Sequence, residues 1–291
     1  MRFVILGLAL LFSSQSLASD NKALVGGRLI DGFGHTPLAN SVILIKDNVI
    51  EAVGTVDTLP VPETYKVIST EGMDVLPGLW EAHAHLMITG HADYSHWHPA
   101  YQDRLAEEIM PASAVQLLLA GITSARDLGA PLEASIAVKQ GLADGSIHGP
   151  RMYMSGPFLQ HEPYPGTENY RWGVKSVAEA QAKVKELKDA GMDMIKLIDH
   201  DLMPREVAQA IVDAAHAHDM IVVGHSHKPD EIRIGLDIGI NNFEHTGLTT
   251  APEFPKDIMV KLKERTAKGR IAGGPLYWTP TVEGLFNYHR T

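Results

Sequence analysis

The sequence predicts an α/β fold: a (β/α)8 barrel of the TIM type, incomplete here at about seven βα units, with a small N-terminal β-sandwich layer. Three observations carry this expectation. From residue 76 onward, short apolar runs alternate with amphipathic stretches, the pattern of repeated βα units and a parallel sheet. Polar residues collect where those runs end, which is where barrel enzymes build their active sites. Residues 22–75 read instead as short strands and turns and hold no catalytic constellation.

Residues 1–18 read as a secretory signal. Arg2 supplies the positive charge, Phe3 to Phe12 the apolar stretch, and Ser16-Leu17-Ala18 the small-residue cleavage site. The apolar stretch is too short to span a bilayer, so the expectation is a periplasmic or secreted protein without a stable membrane anchor. Residues 19–75 follow as the N-terminal part of the sandwich domain. There Val42-Ile43-Leu44-Ile45 is one strand, Asp47-Asn48 the turn, and Val49 to Val53 the next strand. Residues 76–291 form the expected barrel domain. Its candidate strands are Val75–Trp80, Ile122–Ala125, Met152–Ser155, Met194–Ile198, Ile221–Val223, Ile240–Phe243 and Leu276–Thr279. Ser176-Val177-Ala178-Glu179 is a capping box, after which Val177, Ala180, Val184 and Leu187 recur at helical spacing until Gly191. Pro204 opens another helix, with Val207, Ile211 and Ala214 or Ala215 on one face. A closed barrel needs an eighth strand, so the chain is expected to be C-terminally truncated, one βα unit short.

Composition narrows the partners. A formal charge of −10 argues against nucleic acid, which demands a basic face. With 45% hydrophobic residues the chain can bury a substantial core. It has no cysteine, so a metal site here must use histidine, carboxylate or modified lysine. Oligomeric state is unreadable from the sequence.

The candidate chemistry lies at the strand ends. His83 and His85, spaced i, i+2, follow the first run and share one face of a strand, so they can bind one metal together. Arg126 and Asp127 end the second run, His225 and His227 the fifth, Glu244 and His245 the sixth. A single strand-end histidine is more often an ordinary polar residue than a ligand; the set is much harder to dismiss. Lys196 sits inside the apolar run Met194–Ile198. Alone it would read as a lysine snorkelling to water. Beside a metal it must be neutral or modified, and a lysine carbamylated by CO2 becomes an anionic ligand able to bridge two metals. Arg126 either holds a substrate carboxylate or braces the barrel by pairing with an acid, with bracing slightly favoured. The loop His91 to His98 reads as a solvated, histidine-rich segment, and His216 and His218 as structural residues of a helix.

These residues carry a resemblance. Val75-Leu76-Pro77-Gly78-Leu79-Trp80-Glu81-Ala82-His83-Ala84-His85 is similar to the first-strand signature of the amidohydrolase superfamily of metal-dependent hydrolases. Gly121 to Gly129, Gly149-Pro150-Arg151, Asp193-Met194-Ile195-Lys196 and Phe243-Glu244-His245 resemble its imidazolonepropionase-like and prolidase-like branch, as do Leu29-Ile30-Asp31-Gly32 and the strands after it. The resemblance implies two divalent metal ions, with zinc expected and manganese, cobalt or iron also suited to such donors. His83 and His85 would bind the more buried ion, carbamylated Lys196 would bridge both, and His225 and His245 would bind the second. A metal-bridging hydroxide would then attack the scissile carbonyl, with an Asp of the eighth strand moving the proton. Substrate would meet Arg126, His161, Tyr164 and His227; a Gly-Gly-His loop common in related chains is here Phe158-Leu159-Gln160-His161-Glu162-Pro163-Tyr164-Pro165-Gly166.

The expected function is hydrolysis of an amide bond in a dipeptide or N-acyl amino acid, a small-molecule or peptide substrate. Two alternatives stand beside it. One is a cyclic amidohydrolase or deaminase with a mononuclear site, which usually lacks the bridging lysine. The other is an inactive metal-binding fragment, since the expected eighth-strand Asp does not occur before Thr291.

Overall fold

The computed structural model describes residues 21–89, 94–245, 255–267 and 276–280. The chain divides into two compact units, Met1–Pro77 and Gly78–Thr291. The expected export signal lies outside the described residues.

The first unit is strand-rich. It holds β1 (Lys22–Val25), β2 (Arg28–Leu29), β3 (Ser41–Lys46), β4 (Val49–Thr55), β5 (Lys66–Ser69) and β6 (Asp74–Val75). Four of them form a sheet in the order β4-β3-β1-β5, and β2 pairs with β6. The hairpin between β3 and β4 turns at Asp47 and Asn48, whose φ angles are +48° and +63°. Two successive left-handed residues match the right-handed twist of the flanking strands. Ala23, Val42 and Leu44 are buried beneath this sheet.

In the second unit the strands are β7 (Leu79–Ala84), β8 (Ile122–Asp127), β9 (Arg151–Met154), β10 (Phe158–Gln160), β11 (Arg171–Gly173), β12 (Met194–Leu197), β13 (Ile221–His225), β14 (Asn242–Glu244) and β15 (Tyr277–Thr279). The helices are α1 (Tyr94–Tyr101), α2 (Met110–Leu119), α3 (Leu132–Asp144), α4 (Val177–Asp189), α5 (Arg205–Ala217), α6 (Pro229–Ile238) and α7 (Lys256–Ala267). Every strand pair here is parallel, in two arcs ordered β7-β8-β9 and β11-β10-β12-β13-β14-β15. Strands alternating with helices in parallel order are the architecture of the TIM-type barrel. Among the described residues the two arcs do not close into one sheet. They meet where the third barrel strand is split. β9 serves β8, β10 serves β12, and Ser155-Gly156-Pro157 lies between. Bonds from Ser155 N to Asp127 O (3.0 Å) and from Asp193 N to Met154 O (2.8 Å) span the join.

One expected boundary moves. The apolar run from Val75 is not one strand. Val75 pairs with Leu29 in β6, and the first barrel strand starts at Leu79. Pro77 offers no donor to a ladder. A Cβ on Gly78 would stand 1.9 Å from Thr123 Oγ1, so only glycine passes there. His83 is therefore inside β7, with His85 just beyond it. The histidine-rich stretch also differs from expectation: Tyr94 to His98 begin α1, and His91 to Asp93 lie outside the described residues.

Helices cover the sheet as their periodicity dictates. In α4 the Ser176 hydroxyl accepts the Glu179 N–H at 3.2 Å, while Ala180, Val184 and Leu187 face inward. Gly191 follows at φ +80°, a conformation that ends helices at little cost for glycine. In α5, Val207, Ile211, Val212 and Ala215 are buried. His216 Nε2 meets Asn241 Oδ1 at 2.8 Å, the structural role expected of it.

Candidate active site

The C-terminal ends of β7, β8, β12, β13 and β14 bring the polar residues together. On β7 the i, i+2 spacing places two imidazoles on one side. His83 Nε2 and His85 Nε2 stand 3.2 Å apart. Two nitrogens that share one tetrahedral zinc stand about 3.3 Å apart. Asp127, at the end of β8, receives the Leu86 N–H at 3.3 Å and so fixes the chain just past His85. This carboxyl is fully buried, and burial pushes it up to about 7.

His83 is oriented from behind. Its Nδ1 meets Glu244 Oε2 at 2.6 Å, which leaves Nε2 toward the site. Glu244 is held in turn by Arg126 Nη2 at 2.9 Å and by Asn242 Nδ2. Arg126 also donates to Ala82 O (2.7 Å), Asn242 Oδ1 (3.3 Å) and Thr279 Oγ1 (3.3 Å). The guanidinium is thus a buried crossbar from β8 to β14 and β15. Of its two expected roles, the structure places it as the brace.

Across the site stand three more imidazoles. Ring centroids are 4.3 Å apart for His225 and His227, 4.5 Å for His225 and His245, and 4.4 Å for His227 and His245. One ring nitrogen of each lies within 4.8 Å of the others, a spacing that suits a common metal. His245 also comes within 4.6 Å of the His83 ring, joining the two groups. It takes a left-handed φ of +64° to do so. His227, expected to meet substrate, stands as a full member of this trio.

Lys196 projects from the middle of β12 and is 1% exposed. Its Nζ has no hydrogen-bond partner among the described residues. Burial lowers this amine to about 8, with neighbouring Arg126 adding to the effect and Glu244 opposing it. Its charge is felt at His83, His85, His225, His227 and His245. Burial is the first cause holding all five imidazoles below their usual range. They are neutral at physiological pH, the state that offers a lone pair to a metal. A buried, unpaired amine among neutral imidazoles is costly without a ligand to satisfy it. This donor set fits a divalent metal pair.

Two expected substrate contacts lie in a different network. His161 Nδ1 meets Val174 O at 3.0 Å. Tyr164 donates to Asp199 Oδ2 at 2.9 Å, beside the 2.7 Å bond from Gln160 Nε2 to the same oxygen. Asp199, Asp201 and Glu231 form a second acidic group, but donors already answer it. Lys228 Nζ reaches Asp201 at 3.1 Å and Lys228 N reaches Glu231 at 2.7 Å. The sequence reading missed Glu244 as the partner of His83, although its place beside His245 marked the position. It also missed Asp127 as the acceptor behind His85.

Residues 75–262 match the model of the amidohydrolase family, and the chain belongs to that family. A curated relative, ochratoxinase from Aspergillus niger, is 28% identical over 279 residues, covering 79% of this chain and 56% of the relative. The chain thus spans about half the length of the curated relatives it matches. Among solved structures, a putative prolidase from Bifidobacterium longum superposes with a TM-score of 0.69 at 25% identity, over 90% of this chain and 61% of the other. A Xaa-Pro dipeptidase with bound methionine gives a TM-score of 0.69 at 20% identity, over 90% and 67%. Molinate hydrolase gives 0.70 at 20% identity, over 84% and 62%. The last two speak for the fold alone, and they share the barrel architecture derived above.

Proposed function

We propose that this chain carries the metal centre of a hydrolase that cleaves the amide bond of a dipeptide or N-acyl amino acid. The observation that carries the reading is Lys196, a buried amine without a partner among the described residues, surrounded by five neutral imidazoles. His83 and His85 would hold one ion, His225 and His245 the other, with His227 beside them. A neutral lysine is the nucleophile that CO2 needs, and its lowered position supports a carbamate bridging both ions. When bound, such a pair supplies a Lewis acid for the scissile carbonyl and lowers the pKa of water, zinc being the metal these donors suit best.

The remaining chemistry belongs to the protein. Glu244 keeps the proton of His83 on Nδ1, so Nε2 stays free to ligate. Arg126 neutralises Glu244, which otherwise would be a lone buried anion. The Asp127 bond to Leu86 N sets the turn that carries His85. Ochratoxinase and prolidase, as names of relatives, support an amide substrate that ends in an amino acid. An export signal at residues 1–18 supports a substrate met outside the cytoplasm. The bridging lysine disfavours the mononuclear deaminase reading.

The test is metal content with carbamate detection in the full-length protein. Two ions per chain and a 13C-carbamate resonance after 13C-bicarbonate labelling are expected. Lys196→Ala should lose the resonance and one ion. Two ions retained in Lys196→Ala would overturn the bridge. Metal bound with no hydrolysis across dipeptides and N-acyl amino acids would favour a binding protein without turnover.

A further inference from the structure

We infer that Arg171 is the carboxylate-binding residue of this site, so that the substrate presents a free carboxylate next to the scissile amide. This rests on the amidohydrolase reading above and names the residue that would hold the carboxylate of that substrate.

Arg171 opens β11 and pairs in register with Phe158 of β10. Its guanidinium carbon lies 5.0 Å from the Phe158 ring centroid, 4.6 Å from that of Tyr164 and 5.5 Å from that of Tyr170. The group is therefore gripped by three aromatic faces, which fix its plane without neutralising it. Its one side-chain hydrogen bond among the described residues runs from Nη1 to the neutral Gln160 Oε1 at 3.2 Å. Nε is buried and has no partner among the described residues. No carboxylate among the described residues forms an ion pair with it. Arg171 is half-buried, and a guanidinium whose donors are not taken by an anion can receive one from a ligand.

The anion would come from the metal side. The Phe158 ring packs edge-on against the His85 ring, with centroids 5.6 Å apart. One ring thus separates the guanidinium from a metal ligand, and the Arg171 charge reaches far enough to help hold His85 neutral. An N-acylated amino acid held at both ends would pass beside the Phe158 ring. A metal–nitrogen bond of about 2 Å and a hydrogen bond of about 2.9 Å close its two ends. The three covalent bonds from scissile carbonyl to carboxylate carbon fill the middle. A guanidinium presents its N–H groups in a planar fork that can take both oxygens of a carboxylate. Arg126 is less suited to this work, because Glu244, Asn242, Thr279 and Ala82 O take four of its five N–H groups.

The test uses binding and turnover on the full-length protein. Probes are the N-acetyl derivatives of the twenty amino acids, each as the free acid and as the primary amide. Binding is read by calorimetry. The wild type should bind at least one free acid about 10- to 100-fold more tightly than its amide. Arg171→Met should erase that ratio while binding the amide as before. Arg171→Lys should retain part of it, which separates lost charge from a misfolded β11. In turnover, Arg171→Met should raise KM for the acid and leave kcat nearly unchanged. Absence of any preference for acids in the wild type, including no binding of any acid at millimolar concentration, overturns the inference. An acid preference that survives in Arg171→Met overturns it as well. If the preference is present and Arg171-dependent while no amide is cleaved, the carboxylate subsite stands and the hydrolase reading fails.

Discussion

Asp127 sits in a position where charge is unwelcome, and its environment makes a sign-definite statement about stability. Unfolded, the carboxyl titrates near 3.8; buried, it titrates near 7. Below about pH 4 it is protonated in both states and contributes nothing. Between the two values the folded state holds a proton that the unfolded state has lost, so stability falls as pH rises, and above 7 the full penalty applies. Asn at this position is neutral throughout and keeps a side-chain carbonyl for the Leu86 N–H. Asp127→Asn should therefore gain on the wild type progressively from pH 4 to 7, by an amount on the order of 1–3 kcal/mol. Urea unfolding midpoints at pH 4, 5.5 and 7 measure this, and parallel curves for the two proteins would refute it.

Single residues also decide how much of the site can be read in advance. The gathering of His83, His85, Lys196, His225 and His245 was legible because each is a polar residue at or inside an apolar run. Their convergence follows once the runs become parallel strands. Arg126 was only half legible: its burial could be guessed, but its partner Glu244 lies 118 positions away, and no local pattern links them. His161 and Tyr164 depend on the path of an irregular segment. That path sends Tyr164 to Asp199.

At the scale of elements, apolar periodicity located the strands well and their ends less well. Val75 to Trp80 reads as one run, yet it is cut by Pro77 and Gly78 into parts of two sheets. Hydrophobicity carries no sign of such a cut; the missing donor of proline and the close crossing at Thr123 do. Where β8 leads into α3 a similar constraint operates. Gly129 has φ +155°, and a Cβ there would stand 2.0 Å from Phe158 Cε1. Phe158 is the ring between His85 and Arg171, so pressure on it is passed to both. Gly129→Ala should cost about 1–3 kcal/mol in thermal or urea unfolding. The double variant with Phe158→Ala should show a smaller additional cost than the sum of the two single changes. Strict additivity would mean that the glycine is needed for its φ alone.

For the molecule as a whole, the sequence described an α/β protein with strands at its start and a parallel repeat after it. The structure has two compact units, Met1–Pro77 and Gly78–Thr291. The parallel order of β7 to β15 and the family match agree on a TIM-type barrel fold. The split of the third strand was invisible in advance, because its second half, β10, has three residues, too few to show a period. The proposal of export makes a whole-chain prediction. Protein recovered from the source cell should begin at Ser19, after cleavage behind Ala18. Terminal sequencing checks this, and an intact Met1 in the mature protein would remove the export proposal.

The Glu244 contact has one more implication, and it concerns time. His83 meets a partner 161 positions further along the chain, and Arg126 spans 118 and 153 positions to hold that partner in place. Contacts at such separations pay their loop-closure entropy before they return any stability, so they form late. Until they do, His83-Ala84-His85 is a pair of imidazoles with mobile protons and no fixed aim. Ion uptake at the proposed centre would therefore report that the distant segments have docked. A centre built this way would reach its full set of donors only in a chain whose distant segments are in place.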